Sequence, residues 1–522
     1  MVNASYQAVV LAGGEDQILY PLTTNTVKAL LPVANKPLIS YPLRTLAEAG
    51  LRSAIVVVIG EKAAASVREW ISSEYAGSPG ALASCEVVSV PEGYGTADAL
   101  RAVASRITSA SFVVLSGDLL TDVPVGALVA QHNLHAGAMA TMLLAHRRVS
   151  PASETKPGKP PKNVDYIGLD PTRQHLLFYA SSPDALRDLK VPLPTVRRYG
   201  NMSISSNFVD AHLYIFNRSV LQILSDNPKL SSLRQDMLPY LTQNQFRIIR
   251  AQQLASSAAA MAGSSSGGAG GGAGGAGGAG GEAGGAGAGA GSGGPGGAGA
   301  GGSSLLTAPS TEIETDAASD LRFNLHAELP GAHYMDMSHG AAAPPVPESL
   351  LRVQVVGPQD GYCARVQDVQ MYGEVNREVA DPGVALKLSG LKPGRHDNIV
   401  PASATLGNKC TVAAACILGE GCAVGDKSSI KRSVLGAGVR LGANVKVINS
   451  VLMDGVSVGD GAHVQNSVLC RGASVQAGAT LKDCQVGSGC VVAGGVEYKG
   501  EVLVTKGAAA AGRCGCCAGQ VH

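Results

Sequence analysis

Aliphatic residues recur in the C-terminal part of the chain at a spacing that leaves few ways to fold it. From Leu418 to Val486 the steps between successive anchors are six, six and five residues, so the pattern repeats every 17 residues. A matching turn with a small residue precedes each new triplet, at Ser433, Ser450, Ser467 and Cys484. A three-sided coil with one inward aliphatic residue per side satisfies this arithmetic, and stacked coils share one continuous core. The anchors are Leu418, Val424, Ile430, Leu435, Leu441, Val447, Leu452, Val458, Val464, Leu469, Val475, Leu481 and Val486.

This pattern predicts a parallel β-helix of the hexapeptide type over residues 398–490, which is left-handed in the families that it resembles. Leu406 and Val412 continue the register on the N-terminal side. Cysteines inside the repeat pack as small residues, and an odd total of 11 argues against a disulfide framework. His463 is the only histidine of the repeat. Acyltransferases on such solenoids use a histidine as base, but without a partner motif a surface imidazole is the better interpretation.

Short aliphatic runs alternate with helical patterns in the first 250 residues. Ala54–Ile59 and Phe112–Leu115 have the composition of buried strands, whereas Leu38–Ala49 and Thr96–Ser105 have helical spacing. This alternation predicts an α/β domain of the Rossmann-like class, with a mainly parallel sheet covered on both sides. Ligands of such sheets lie beyond the carboxyl ends of the strands, so Gly13-Gly14 is placed to let backbone N–H groups approach a phosphate.

The segment from Ala8 to Pro37 resembles the signature of the sugar-phosphate nucleotidyltransferases, the NDP-sugar pyrophosphorylases. Two further segments match in family order. The resemblance implies that Gly95-Thr96-Ala97 contacts a base and that Asp118 stands at a magnesium-binding position. Taken alone, a helix entry with Thr96 as N-cap and a strand-end turn at Asp118 explain the two segments equally well. The signature residues retained are Leu11, Ala12, Gly13, Gly14, Leu19, Pro21, Leu22, Thr23, Lys28, Pro32, Val33, Lys36 and Pro37.

The residues that would carry the chemistry are missing. Where the family has Gly-Thr-Arg, this chain has Asp16, Gln17 and Ile18, which cannot neutralise the charge of a phosphate. The lysine that contacts the sugar phosphate in the family has no counterpart, because residues 166–186 contain no lysine. We therefore predict no catalytic residue, no metal and no cofactor. The expected vestigial nucleotide pocket consists of Leu11, Ala12, Gly13, Gly14, Lys28, Gly95, Thr96 and Asp118.

Other segments resemble the gamma subunits of eukaryotic translation initiation factor 2B: Tyr166–Asp170, Leu176–Phe178, Phe208–Tyr214, Asp426–Leu435 and Asp483–Gly489. For Asp210 a second metal carboxylate and a plain strand-edge residue remain open. The resemblance implies a non-catalytic cytosolic subunit that binds the epsilon subunit, assembles with the alpha, beta and delta subunits, and helps to hold initiation factor 2 during GDP release. The alternative is a mannose-1-phosphate guanylyltransferase or its regulatory subunit.

Composition divides the chain into five parts. They are a nucleotidyltransferase-like domain (1–250), a disordered Gly/Ala/Ser-rich linker (251–347), a connecting segment with some strand (348–397), the β-helix (398–490) and a largely disordered tail (491–522). Strand character is expected at Arg352–Val355 and Tyr372–Arg377.

Charge gives a limited indication of partners. A net charge of +1 gives no reason to expect nucleic acid or a membrane as partner. Nor does any apolar stretch approach the length needed to span a bilayer. Lys427, Lys431 and Arg432 form a basic patch that is either a contact for an acidic partner or a solvated corner.

Overall fold

The strands of the first part of the chain are short and mostly buried. The computed structural model describes residues 6–14, 16–135, 137–147, 164–182, 191–199, 201–249, 320–324, 350–357, 359–394 and 396–505. In chain order the strands are β1 Gln7–Leu11, β2 Pro32–Val33, β3 Lys36–Pro37, β4 Ser53–Ile59, β5 Ser84–Val90, β6 Ser111–Ser116, β7 Leu119–Thr121, β8 Ala140–His146, β9 Val164–Leu169, β10 Leu176–Ser182, β11 Asn201–Ser205, β12 Phe208–Asn217, β13 Asp320–Asn324, β14 Leu351–Val356 and β15 Cys363–Arg365.

Helices separate these strands and then lead into the C-terminal part. Those with apolar faces, such as α1 with buried Leu43 and Leu46, cover the sheet. In chain order they are α1 Ser40–Glu48, α2 Glu61–Trp70, α3 Thr96–Ala102, α4 Val125–Asn133, α5 Leu193–Tyr199, α6 Ser219–Asp226, α7 238–249, α8 Val369–Val379 and α9 Pro382–Ser389. None of the helices within the described ranges is both long and apolar enough to cross a bilayer.

The predicted α/β class is confirmed by a seven-stranded sheet in the order β14-β8-β12-β6-β1-β4-β5. Strands β6, β1, β4 and β5 run parallel, while β12 is antiparallel to both of its neighbours. Strands β1 and β6 are buried through most of their length, as expected for strands covered on both faces. A second, antiparallel sheet has the order β10-β9-β11-β13.

The seven-stranded sheet extends beyond the expected boundary at residue 250. Strand β14, placed by the sequence in the connecting segment, pairs parallel with β8, and β15 pairs antiparallel with β7. Within the expected linker, β13 pairs antiparallel with β11, so this stretch is a strand rather than coil. The rest of the linker lies outside the described residues.

Three parallel sheets of six strands each form the C-terminal β-helix. One face carries β18 Ile417–Leu418, β21 Val434–Leu435, β24 Val451–Leu452, β27 Val468–Leu469, β30 Gln485–Val486 and β33 Val502–Leu503. A second carries β16 Thr405–Leu406, β19 Ala423–Val424, β22 Arg440–Leu441, β25 Ser457–Val458, β28 Ser474–Val475 and β31 Val491–Val492. The third carries β17 Thr411–Val412, β20 Ser429–Lys431, β23 Lys446–Ile448, β26 His463–Gln465, β29 Thr480–Lys482 and β32 Glu497–Lys499.

The repeat register is confirmed at atomic level. Leu435 pairs with Leu452 and Leu452 with Leu469, each 17 residues on, and every predicted anchor from Leu418 to Val486 is buried in one cluster. The turn serines form a ladder in which the backbone N–H of Ser450 donates to Ser433 Oγ at 3.1 Å and that of Ser467 to Ser450 Oγ at 3.2 Å. These buried hydroxyls satisfy backbone groups at the corner of each coil.

Two of our expectations for this region are wrong. The solenoid does not end at residue 490, because Val492, Tyr498 and Leu503 continue the six-six-five spacing and strands persist to Leu503. The pattern admitted only aliphatic anchors, so it did not include this last coil, whose anchor at residue 498 is a tyrosine. Tyr372–Arg377 is helical rather than extended, since it lies inside α8, which Asp368 caps by accepting the N–H of Met371 at 2.7 Å. Residues 506–522 of the expected tail lie outside the described ranges.

The first face of the solenoid, called here the docked face, packs against the N-terminal part of the chain. Its outward valines, Val434, Val451 and Val468, are at most 6% exposed. They share one apolar cluster with Tyr372 and Val375 of α8 and with residues of the segment before α1. These parts belong to one unit of residues 1–245 and 319–522, whereas the other unit, 246–318, is described only at 246–249.

Candidate functional site

The turn after β1 contains Gly13 and Gly14, and side chains of the same chain pack against both glycines. A Cβ on Gly13 would lie 2.7 Å from the Ile59 side chain, and one on Gly14 would lie 3.2 Å from Lys28 Cδ. The space beside both glycines is therefore occupied by side chains of the same chain. The neighbouring backbone is also paired, since the N–H of Ala12 donates to Val57 O and Leu11 O accepts from Gly117 N.

Asp118 lies beside this turn and is enclosed by cations. Its Oδ2 accepts from Lys28 Nζ at 2.7 Å, and its two oxygens accept from Arg365 Nε at 2.9 Å and Nη2 at 3.2 Å. Ser116 Oγ donates to Oδ1 at 2.7 Å. The carboxylate is only 4% exposed. Burial by itself would raise the pKa of Asp118, but the charges of Arg365 and Lys28 outweigh it and hold that pKa well below its usual range.

This environment does not fit the magnesium ion that the family resemblance implies. A carboxylate offers about four acceptor positions. Two donors occupy each oxygen of Asp118, namely Ser116 and Arg365 on Oδ1, and Lys28 and Arg365 on Oδ2. An ion at this carboxylate would have to displace a guanidinium or an ammonium and would meet the charge of the other. The arrangement can hold β15 against the sheet, and we derive no metal chemistry from it.

Gly95 and Thr96 are joined to a different part of the chain. The backbone N–H groups of Ala97 and Asp98 donate to Ser231 O at 2.8 and 3.4 Å, and Leu233 N donates to Thr96 Oγ1 at 2.8 Å. A Cβ on Gly95 would lie 2.3 Å from Ser231 O. The donors at the start of α3 are thus satisfied internally, and Gly95, rather than Thr96, is the N-cap.

Asp210, for which the sequence left two interpretations open, lies in a buried polar cluster. Its Oδ2 accepts from Tyr214 Oη at 2.5 Å and Tyr179 Oη at 3.4 Å, and its Oδ1 accepts from His212 N at 2.8 Å. Burial raises the pKa of Asp210 to about 6, although the bond from Tyr214 opposes this. Next to this cluster, Arg234 and Asp165 form an ion pair at 2.7 Å.

Sequence reasoning missed Arg365, the residue that completes the Asp118 site. The family signature places its cations at the position of Ile18 and within residues 166–186, whereas Arg365 is 247 residues from Asp118. Ile18 is 54% exposed, and the side chain of Asp16 falls outside the described residues. A signal existed, because Arg365 follows Tyr362, Cys363 and Ala364 in an apolar run, where a charged side chain needs a buried partner.

The second half of the signature segment holds the β-helix. Asn35 Nδ2 donates to Leu435 O at 2.8 Å, Ala34 N donates to Asn376 Oδ1 at 2.9 Å, and Lys36 Nζ donates to Ser389 O at 2.6 Å. Burial lowers the pKa of Lys36. The residues retained here therefore connect the N-terminal domain, the helices α8 and α9, and the solenoid.

The expected basic patch lies along a single coil. Lys431 projects from β20, and Lys427 and Arg432 occupy the corners before and after it with φ of 56° and 46°. All three side chains are exposed. Arg432 also lies near Arg377 of α8. Burial lowers the pKa of Arg377; the charge of Glu374 opposes this shift, and the charge of Arg432 adds to it.

Comparisons with known proteins agree with this architecture. Residues 7–253 match the family model described as nucleotidyl transferase, and residues 395–503 match the EIF2B subunit epsilon LbH domain. The chain therefore carries a nucleotidyl transferase domain followed by a β-helix of the EIF2B type, and the predicted fold class is confirmed.

Individual curated proteins give a more specific comparison than the family models. The chain is similar to the translation initiation factor eIF2B subunit gamma of Schizosaccharomyces pombe (strain 972 / ATCC 24843), with 31% identity over 251 residues, 47% of this chain and 53% of the relative. The same subunit of Dictyostelium discoideum is 24% identical over 276 residues, 50% of this chain and 62% of the relative. The mannose-1-phosphate guanylyltransferase catalytic subunit beta of Drosophila melanogaster is 28% identical over 247 residues, 47% and 56% respectively. The chain thus spans between half and two thirds of these curated relatives, and the gamma-subunit resemblance is confirmed.

Proposed function

We propose that this chain is a non-catalytic subunit of the initiation factor 2B complex, the guanine-nucleotide exchange factor for initiation factor 2. In this proposal it acts from the cytosol as the gamma subunit, supporting the epsilon subunit in GDP/GTP exchange and assembling with the alpha, beta and delta subunits. The similarity to gamma subunits of two organisms supports the assignment. Similarity to epsilon subunits, such as 24% identity over 235 residues in Schizosaccharomyces pombe (strain 972 / ATCC 24843), suits a member of the same assembly.

The observation that supports a non-catalytic role is the pairing of the Asp118 carboxylate with both Arg365 and Lys28. A nucleotidyltransferase stabilises a transition state that is mostly phosphate charge, and it needs metal and free cations to do so. Here the two cations neutralise a carboxylate instead of a phosphate. We assign Leu11, Ala12, Gly13, Gly14, Lys28, Gly95, Thr96 and Asp118 to a vestigial pocket whose retained residues serve packing.

A turnover assay tests the absence of catalysis. Purified full-length chain is incubated with GDP-mannose, pyrophosphate and magnesium, and release of mannose 1-phosphate is measured. We expect no turnover above a blank without protein. Turnover that is lost in Lys28→Ala would contradict the proposal and favour the mannose-1-phosphate guanylyltransferase alternative, which the similarity to the Drosophila melanogaster enzyme subunit keeps in view.

Affinity purification tests the assembly. The full-length chain carrying a tag is recovered from its source cells under native conditions, and co-purifying proteins are identified by mass spectrometry. We expect the epsilon subunit in equal amount, with the alpha, beta and delta subunits. Recovery of a homo-oligomer alone would contradict the proposal.

A further inference from the structure

The three faces of the solenoid differ in chemistry. The docked face is buried under α8. The second face, called the small-residue face, presents Ala423, Ser457 and Ser474 together with Arg440 as its only cation on the strands. The third, called the basic face, consists of β17, β20, β23, β26, β29 and β32, and it carries most of the long charged side chains.

Outward positions on the basic face form two columns. The middle residue of each three-residue strand, such as Ile430 or Val447, is buried, so its two flanking residues point outward. One column, joined by strand pairing, reads Ser429, Lys446, His463, Thr480 and Glu497, and the other reads Lys431, Ile448, Gln465, Lys482 and Lys499.

The positive charge on these columns is mostly uncompensated. The two columns contain four lysines and one carboxylate, Glu497. The ion pair on the columns joins Lys482 Nζ to Glu497 Oε1 at 2.7 Å. Lys431, Lys446 and Lys499 are exposed and form no ion pair with any residue in the described ranges. The corners that flank these strands carry Lys427 and Arg432 but also the carboxylates of Asp426, Asp460, Asp483 and Glu501, so the positive excess lies on the columns themselves.

The backbone holds these lysines at regular intervals. Neighbouring strands are about 4.8 Å apart, so Lys446 and Lys482 stand on strands roughly 10 Å apart with His463 between them. Burial and the charges of the two lysines lower the pKa of His463, which favours the neutral ring. The β-helix backbone thus fixes the strand positions from which these lysines project, while their flexible side chains carry the ammonium groups.

We propose that the basic face binds an acidic segment of a partner protein, with Lys431, Lys446, Lys482 and Lys499 as its contacts. Charge complementarity supports this partner. A nucleic acid is less suitable, because the columns present His463 as their one aromatic ring and no arginine, and they include Glu497. The proposal does not rest on the proposed function, since it follows from the solenoid surface alone.

A labelled peptide of 20 glutamates is the probe, and its binding to the full-length chain is followed by fluorescence anisotropy at low ionic strength. We expect Lys446→Glu and Lys499→Glu each to weaken binding about threefold to tenfold, and the double variant to weaken it further. Higher salt should weaken wild-type binding, because exposed charges are screened. The matched control is Arg440→Glu, the same charge reversal on the small-residue face, with an expected change below about twofold.

Several results would overturn the proposal. One is an equal loss in Arg440→Glu, which would mean that net charge alone matters. Others are tighter binding of a 20-nucleotide single-stranded RNA than of the peptide, or no peptide binding at all. Lys446→Gln guards against misfolding, since it removes the charge without reversing it. The logarithm of its fold-change in affinity should be about half that of Lys446→Glu, and its circular dichroism spectrum should match that of wild type.

Discussion

Replacing Arg365 by methionine isolates the energetic role of the cation that occupies the Asp118 site. The side-chain stem keeps its packing, but the bonds from Nε at 2.9 Å and Nη2 at 3.2 Å to the carboxylate disappear. Removing one partner of a buried ion pair costs about 3–5 kcal/mol. Lys28 still pairs with Asp118 at 2.7 Å, so the lower end, about 3 kcal/mol, is expected.

A double-mutant cycle measures this coupling. Urea unfolding is compared for wild type, Arg365→Met, Asp118→Asn and the double variant. Arg365→Met leaves Asp118 with Lys28 as its remaining partner, and Asp118→Asn leaves Arg365 without a carboxylate, whereas the double variant removes both charges of the Arg365–Asp118 pair. The coupling energy should therefore be about 2–3 kcal/mol.

The matched control is Arg44→Met, which removes a guanidinium that donates to Leu388 O at 3.1 Å and pairs with Glu48 near the surface. Because that pair is exposed, its loss should cost about 1 kcal/mol or less. A coupling below about 0.5 kcal/mol, or an equal loss in the control, would refute the view that Arg365 replaces a metal as the charge partner of Asp118.

Three other predictions concern stability. Asp210 has a pKa of about 6 when folded, against about 3.9 unfolded, so the folded state holds a proton that the unfolded state has released. Stability should therefore fall by about 2 kcal/mol from pH 4 to pH 6. Asp210→Asn should lose this slope in urea midpoints measured across that range, and an unchanged slope would contradict the assignment. Ser450→Ala should lower the free energy of unfolding by about 1–2 kcal/mol, because it removes the acceptor of Ser467 N. Ser450→Cys should lower it less, since Cys484 occupies the equivalent position of its coil. Equal losses of stability in thermal unfolding would argue against the serine ladder. Val451→Asp should place an unpaired charge on the docked face and lower the free energy of unfolding by about 3 kcal/mol or more. It should also expose the segment between α9 and β16 to limited proteolysis. Ser457→Asp on the small-residue face is the control, and equal protease sensitivity of the two variants would contradict the docking.

Local patterns predicted the solenoid well. Each anchor pairs with a residue 17 positions away, so the information that fixes a coil lies within two repeats. The same pattern stopped one coil early because it admitted only aliphatic anchors and Tyr498 is aromatic. In α8 a helical signal was present, since buried Val369, Tyr372 and Val379 lie on one helical face, but short alternating runs favoured a strand.

The candidate site depended on distant pairings that no local pattern contains. Lys28 and Asp118 could be placed together from the fold class, because both follow the carboxyl ends of neighbouring parallel strands. Arg365 enters from a strand that pairs with β7 far along the chain. Ser231, which satisfies the start of α3, is likewise remote from Gly95 and has no distinctive sequence context.

The position of β14 at the edge of the seven-stranded sheet has a consequence for synthesis on the ribosome. Strand β8 is apolar, with six of its seven residues buried, and its outer edge is paired only by β14. At about 5–20 residues per second, the stretch from His146 to Val356 takes roughly 10–40 s to emerge. During that interval the nascent chain presents an uncovered hydrophobic strand edge, which is a template for wrong pairing. A fragment ending at residue 250 would keep this edge permanently, so nascent-chain chaperones or early co-translational assembly have a defined segment to protect, Ala140–His146.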